Sequence, residues 1–369
     1  MRLLVLGGTR FLGRHVVEAA LAAGHDVTIF NRGLTPSPWD AATVMHRVGN
    51  RDARIEPGLA TLAAGEWDAA IDMSGYVPRC VAAGVERLGG RVAHYTFVSS
   101  MSVYADASRP GLDETATVAT LDDAASEDIT AHYGALKARC EDEVRVVFGD
   151  RALIVRPGLI VGPHDPTDRF AYWVARFLRP GHLGARPDAA VVPAPPDRPI
   201  QFIDARDLAQ WLLVAAGAKT AGAFNACSPA GMWTMGALVD TLVERGRAGG
   251  TFVAPNWIDE ATLIGRGVTP WTELPLWIPA TDAESAGFME FSCARDRARL
   301  AYSAAGRDGR RDRCMARREE RRQRVAQRAV GGQGARTIGT AMSGCVRRGP
   351  FPRAIIGDGR RRTRGPQRA

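Results

Sequence analysis

The chain has 369 residues, 46% of them hydrophobic and 24% charged, with a formal net charge of +8. That length and apolar content suit one large α/β unit or two smaller domains, and exclude a disordered or fibrous chain. The charge is uneven: residues 307–369 hold 19 Arg, no Lys and five acidic residues, a net of +14, so residues 1–306 carry −6. The mildly acidic body argues against nucleic-acid binding by the body itself.

The six cysteines, Cys80, Cys140, Cys227, Cys293, Cys314 and Cys345, are scattered without a C-x-x-C pair. Neither a zinc site nor a disulfide framework is suggested, and a reducing cytoplasm is the expected compartment. Seven histidines include no H-E-x-x-H or comparable pair, so no metal site is expected. The first apolar run ends at Gly7-Gly8, short of a signal-peptide core, and no run approaches the roughly 18 residues of a membrane helix.

In chain order, "RLLVLG" reads as a strand, and Phe11, Leu12, Val16, Val17, Ala20 and Leu21 recur at helical spacing before Gly24 closes the helix. "DVTIFN" is the second strand, "ATVMHRV" a weaker third, and "WDAAIDMSG" and "HYTFVSS" the next two. "ALIVRPGLIVGP" reads as a buried strand entering a loop, and "IQFIDARDLAQWLLVAA" as a strand turning through Asp204 into an amphipathic helix. Strands alternating with helical patterns predict an α/β fold, a Rossmann-type doubly wound parallel sheet with a small C-terminal cap. The expected division is a dinucleotide-binding core over residues 1–160 and a substrate cap over 161–306, with about 199–228 returning to the core. The cap segments are loop-rich and carry Trp233, Trp257, Trp271 and Trp277, for which core packing is the leading role. From Arg307 onward hydrophobic periodicity fades into Arg, Gly and Pro, a composition expected to be disordered.

The stretch "LVLGGTRFLGRHVV" joins the first strand to the first helix. A helix N-terminus offers unpaired N–H groups and partial positive charge to phosphate, so Gly7, Gly8, Thr9, Arg10, Phe11, Leu12 and Gly13 form the candidate dinucleotide loop. Gly7 permits the tight turn and Gly13 close helix–sheet approach, while Arg10 stands where a middle glycine is usual. The second strand ends in Asn31-Arg32 instead of the acidic residue that would bind NAD ribose hydroxyls and repel a 2′-phosphate. Arg10 and Arg32 are therefore expected to flank the adenosine end, with NADP preferred and NAD the alternative.

"YGALK" places Tyr133 and Lys137 on one helix face, where an ammonium would lower the phenol pKa and make it an acid/base. Lys137 and Lys219 are the only lysines in a chain otherwise committed to Arg, which adds weight to Lys137. Ser99, Ser100 and Ser102 leave the carboxyl end of a core strand, where a hydroxyl can hold a substrate oxygen. Ser100 is the first choice and Ser102 the second, turn capping being the alternative for each.

"GGTRFLG", "SSMSVY", "YGALK", "RPGLIVGPHDPTDRF" and "QFIDARDLA", in that order over about 300 residues, resemble an extended short-chain dehydrogenase/reductase of the NAD(P)-dependent epimerase/dehydratase family. "GGTRFLGR" with "FNRG" is similar to an atypical branch related to chloroplast stem-loop-binding proteins, which also places Arg at the middle-glycine position. The resemblance implies Ser100, Tyr133 and Lys137 as catalytic residues, Tyr133 exchanging the proton and Lys137 also bonding the nicotinamide ribose. It also puts Asn50 at the usual adenine-binding Asp position, Ser74 and Gly75 in a cofactor-lining turn, and Pro157 beside the nicotinamide. The implied partner is a small carbonyl or alcohol compound or a nucleotide sugar, with a homodimer as the association entertained.

The Arg-rich tail departs from that family, and a reading-frame shift near Gly306 would produce it. A genuine basic tail that binds nucleic acid is the other reading, and a non-catalytic nucleotide- or RNA-binding protein on the same fold is the rival function.

Overall fold

In the computed structural model, which describes residues 1–180 and 188–295, the strand-forming runs assemble into one parallel sheet. β1 (Arg2–Leu6) buries every residue after Arg2, as a strand covered on both faces must. It is followed by α1 (Phe11–Ala22), β2 (Asp26–Asn31), β3 (Met45–Val48), β4 (Trp67–Asp72), α2 (Pro78–Leu88) and β5 (Val92–Val98). The weaker third strand forms only over its last four residues, at the sheet edge. A long loop then leads to α3 (Ile129–Phe148) and β6 (Ala152–Pro157).

Beyond β6 the chain moves between core and cap: β7 (Ile160–Val161), α4 (Arg169–Leu178), β8 (Ala189–Pro193), β9 (Pro199–Ile200), β10 (Ile203–Asp204), α5 (Ala205–Gly217) and β11 (Gly222–Ala226). The cap is completed by β12 (Trp233–Thr234), α6 (Met235–Ala248), β13 (Ala254–Ile258) and α7 (Glu260–Gly265). "ALIVRPGLIVGP" divides at Gly158 into β6 and β7, and only β6 joins the central sheet.

The seven central strands run in the order β11-β6-β5-β4-β1-β2-β3. The order reverses between β1 and β4, so a crevice opens at their carboxyl ends, where such sheets bind ligands. α1 and α5 cover one face through Val16, Val17, Leu208 and Leu212, and α2 and α3 the other through Val81, Val85, Val144 and Phe148. A separate aromatic core holds the cap: Trp173 and Trp277 are fully buried, Trp233 nearly so, and Trp257 and Trp271 pack partly buried against them.

The basic tail, residues 307–369, lies outside the described residues. Among the described residues no helix is long and apolar enough to cross a membrane, and no cluster of His, Cys, Asp or Glu suits a metal ion.

Candidate active site

The glycine loop rests on two backbone conformations and one close approach. Gly7 and Gly8 have φ of +120° and +88°, which side chains rarely adopt. A Cβ on Gly13 would lie 2.6 Å from the Gly8 nitrogen, so the helix can meet the turn only without a side chain there. Arg10, by contrast, caps α1 in ordinary extended backbone, φ −132° and ψ 147°, with its side chain exposed. Arginine is tolerated because this loop does not require glycine at that position. The unusual conformation falls one residue later, at Phe11, whose φ is +38°.

Asn31 stabilises the loop from the end of β2. Its amide donates to the Gly7 carbonyl at 3.0 Å, while its oxygen accepts from the Gly33 N–H at 2.8 Å and pairs with His46 Nε2 at 2.9 Å. An Asp there could not donate to Gly7, which gives Asn31 a structural reason beside the absence of charge. Arg32 and Asn50 line a cavity of about 270 Å³ with Leu34, Val48, Gly49, Glu56 and Pro57, between the ends of β2 and β3. Arg10 is not in that lining; its charge acts on Tyr76 instead.

The turn after β4 is held from beneath. The buried Asp72 carboxylate pairs with Arg51, accepts from the Tyr95 hydroxyl at 2.7 Å and accepts from the Ser74 N–H at 2.9 Å. Burial alone would raise Asp72, but Arg51 outweighs it and holds the carboxyl low. Ser74 thus serves the turn, Asn50 accepts from the Asp52 N–H at 3.0 Å, and Pro157 closes β6 in register with Ala226. Thr9 and Leu12 lie within the glycine loop and the first turn of α1, with Leu12 buried.

On α3 the inward face carries Tyr133, Lys137 and Glu141 at successive i+4 steps. Asp128 caps the helix through the N–H groups of Thr130 and Ala131, and the backbone departs from helical geometry at His132, so regular helix starts at Tyr133. The Ser100 hydroxyl lies close enough to Tyr133 to favour the ionised phenol. Ser100 also accepts from the Ser102 N–H at 3.1 Å, which fixes the turn after β5. Lys137 is buried and donates to the carbonyls of Gly75 and Val98, both at 2.8 Å, with Phe97 beneath it at 4.2 Å. Glu141 accepts from Ser99 at 2.6 Å and from Arg156 at 3.0 and 2.7 Å, which makes Ser99 a packing residue.

The electrostatics correct one expectation. Burial pushes the Tyr133 phenol up to about 12, helped by the neighbouring Tyr76, and the Ser100 hydroxyl and Arg169 charge only partly oppose this. Lys137 is not among the largest influences on it. Its own pKa is lowered to about 8 by burial, and two of its N–H groups are taken up by backbone carbonyls.

Two residues escaped the sequence reading. A Cβ on Gly134 would lie 2.0 Å from the Ser102 carbonyl oxygen, so this glycine lets the helix bring Tyr133 against Ser100. The G of "YGALK" was the available signal. Arg169, at the start of α4, donates to Thr167 at 3.0 Å, lies 5.7 Å from the Trp271 ring and acts electrostatically on Tyr133. Among the described residues it has no carboxylate within ion-pair distance. A single cation following "GPHDPTD" offered no comparable signal.

The switch-point crevice, the glycine turn and the hydroxyl pair at the sheet edge define a dinucleotide-binding α/β protein of Rossmann type. Residues 3–227 match the NAD-dependent epimerase/dehydratase family, and the chain belongs to it. A 2-alkyl-3-oxoalkanoate reductase of Stenotrophomonas maltophilia (strain K279a) is 30% identical over 189 residues, 45% of this chain and 52% of the relative. The chain thus matches about half the length of that curated relative.

A nucleoside-diphosphate-sugar epimerase from Pseudomonas aeruginosa shares the fold at a TM-score of 0.56, 17% identity and coverage of 90% and 96% of the two chains. A human epimerase family protein solved with NADPH gives 0.52, 18%, 81% and 93%. UDP-glucuronic acid 4-epimerase from Bacillus cereus in complex with NAD gives 0.52, 14%, 78% and 95%.

Proposed function

We propose that the chain is an NAD(P)-dependent reductase of a small carbonyl compound, with Tyr133 as the proton donor. The observation that carries this reading is the approach of α3 to the turn after β5, which sets Tyr133 within the influence of the Ser100 hydroxyl. Two hydroxyls side by side can hold one substrate oxygen, Ser100 orienting it and Tyr133 protonating it as negative charge develops. A phenol raised to about 12 is protonated at neutral pH, which suits an acid in reduction better than a base in oxidation.

The residues around the glycine turn fit a dinucleotide. A Cβ on Gly7 would meet nothing within 4 Å, leaving that backbone open to approach. The Arg32-lined groove presents a cation where the adenosine end is assigned. When bound, the nicotinamide supplies the hydride. Lys137 has three N–H donors, two of them on Gly75 and Val98, and the third is assigned to the cofactor ribose. NADP(H) is the preferred form because β2 ends in Asn31-Arg32 with no carboxylate, although Glu56 also lines the cavity.

On the substrate side the Arg169 charge acts on the phenol. Together with the oxo-acid reductase among the relatives, it favours a carbonyl substrate bearing a carboxylate. A nucleotide sugar is the second reading, favoured by the fold shared with nucleotide-sugar epimerases. Loss of reduced-nicotinamide absorbance with a panel of 3-oxo acids and nucleotide-4-ketosugars tests both, with Tyr133→Phe as the control. Activity that survives unchanged in Tyr133→Phe overturns the assignment. Equal NADPH and NADH affinity in the unmutated chain and in Arg10→Gly and Arg32→Ala overturns the cofactor preference.

A further inference from the structure

The scattered cysteines conceal a pair. Cys227 follows β11 directly, and Cys293 lies 66 positions later in the last described stretch. The fold brings their sulfurs to 2.8 Å, one thiol donating to the other, in a buried nest with Met101, Tyr104 and Phe291. A sulfur–sulfur bond is roughly 2.05 Å long, so about 1 Å of motion separates the two thiols from a disulfide.

The pair joins two parts of the molecule that matter to the site. A Cβ on Gly158 would lie 3.3 Å from the Cys227 Cβ and 3.4 Å from the Met101 sulfur, so Cys227 stands beside the residue that follows Ser100. Cys293 belongs to the segment that returns from the cap onto the sheet. That segment is held by the Phe291 N–H on Gln201 at 2.8 Å, the Ser292 N–H on Leu112 at 2.8 Å and Asn225 on the Ser292 carbonyl at 3.0 Å. These bonds hold the backbone just before Cys293 beside β11, which keeps its sulfur against that of Cys227.

We propose that Cys227 and Cys293 form an oxidative modification site whose disulfide staples the cap's returning segment to the catalytic edge of the sheet. The oxidant is of the peroxide class. One thiol attacks a peroxide oxygen, the O–O bond breaks, and a sulfenic acid and water result. The second thiol then displaces the sulfenic hydroxyl as a second water and the Sγ–Sγ bond forms, so two thiols lose two electrons and two protons while peroxide is reduced to two waters. Of the other described cysteines, Cys140 on α3 has its thiol pushed up to about 12 by burial, and burial also raises the Cys80 thiol on α2, which lessens the thiolate each presents to a peroxide.

The test uses the full chain, treated with hydrogen peroxide, alkylated after denaturation and mapped by mass spectrometry without reduction. The expected product is one peptide pair joining Cys227 to Cys293, lighter than the two thiol peptides by two hydrogens and separated again by dithiothreitol. Closing a loop across the cap is expected to raise Tm by roughly 5–10 °C, reversibly. In Cys293→Ser the oxidised and reduced samples should melt together. Alkylation of both cysteines after peroxide treatment overturns the proposal, as does separate oxidation to sulfinic acids or linkage of either one to Cys314 or Cys345. The peptide map needs no variant, so a misfolded substitution leaves the decision intact.

Discussion

At the phenol corner three buried or half-buried side chains of α3 each meet a different part of the sheet edge, whereas at the dinucleotide corner the backbone of Gly7, Gly8 and Gly13 shapes the site and nearby side chains brace the loop. Chemistry that moves a proton needs groups withdrawn from water, so the first corner carries displaced pKa values and a buried Glu141–Arg156 pair. Phosphate recognition needs N–H groups presented at close range, so the second corner depends on conformations that only glycine adopts easily. Damage to the first should therefore appear in turnover and pH dependence, and damage to the second in cofactor affinity.

The largest effect expected is at Tyr133. Tyr133→Phe should lower turnover by about 10³-fold, roughly 4 kcal/mol in the barrier, while NADPH titration by fluorescence stays within about twofold of the parent. A parallel loss of affinity would erase the contrast between the corners. Next comes Glu141→Ala, which strands Arg156 in the interior and should lower unfolding free energy by about 3–5 kcal/mol in urea titration. A change below about 1 kcal/mol would show that the pair does not anchor α3.

Lys137 sharpens the comparison through pH. Its folded pKa is about 8 against an ordinary value of 10.5, so between those values the unfolded chain holds a proton that the folded chain has released. Stability relative to Lys137→Met should therefore rise with pH across that window, by up to about 3 kcal/mol, and be flat below it. A difference that falls with rising pH would mean that the ammonium is stabilised in the fold.

At the other corner, Gly13→Ala pushes a methyl group against the Gly8 nitrogen and should cost about 1–3 kcal/mol of stability. Its NADPH affinity should drop at least about tenfold with saturated turnover little changed. The smallest effect is at Arg32. Arg32→Ala should narrow the ratio of NADPH to NADH affinity by about threefold to tenfold, read from parallel titrations, because one exposed cation is removed.

Much of the core could be read from residue order alone. Parallel strands buried on both faces appear as continuous apolar runs, and β1, β2, β4 and β5 fall where those runs lie. β3 was weak in the sequence and is short in the fold, because an edge strand with a polar face has little apolar pattern. The i, i+4 spacing of Tyr133 and Lys137 was legible because a helix converts it directly into a shared face. Their electrostatic relation was not legible, since it depends on which carbonyls fill the space beside the ammonium.

Local backbone preference and short-range periodicity set the order of strands and helices, the glycine turn and the side chains that share the inner face of α3, so these could be read along the chain. The packing of distant segments settles the rest: that position 10 needs no glycine, that Gly134 lets α3 approach the turn after β5, that the Arg169 charge acts on the phenol and that Cys227 meets Cys293. Each of those facts depends on two segments distant in sequence arriving within a few ångströms of each other, and spacing along a chain carries no measure of that distance.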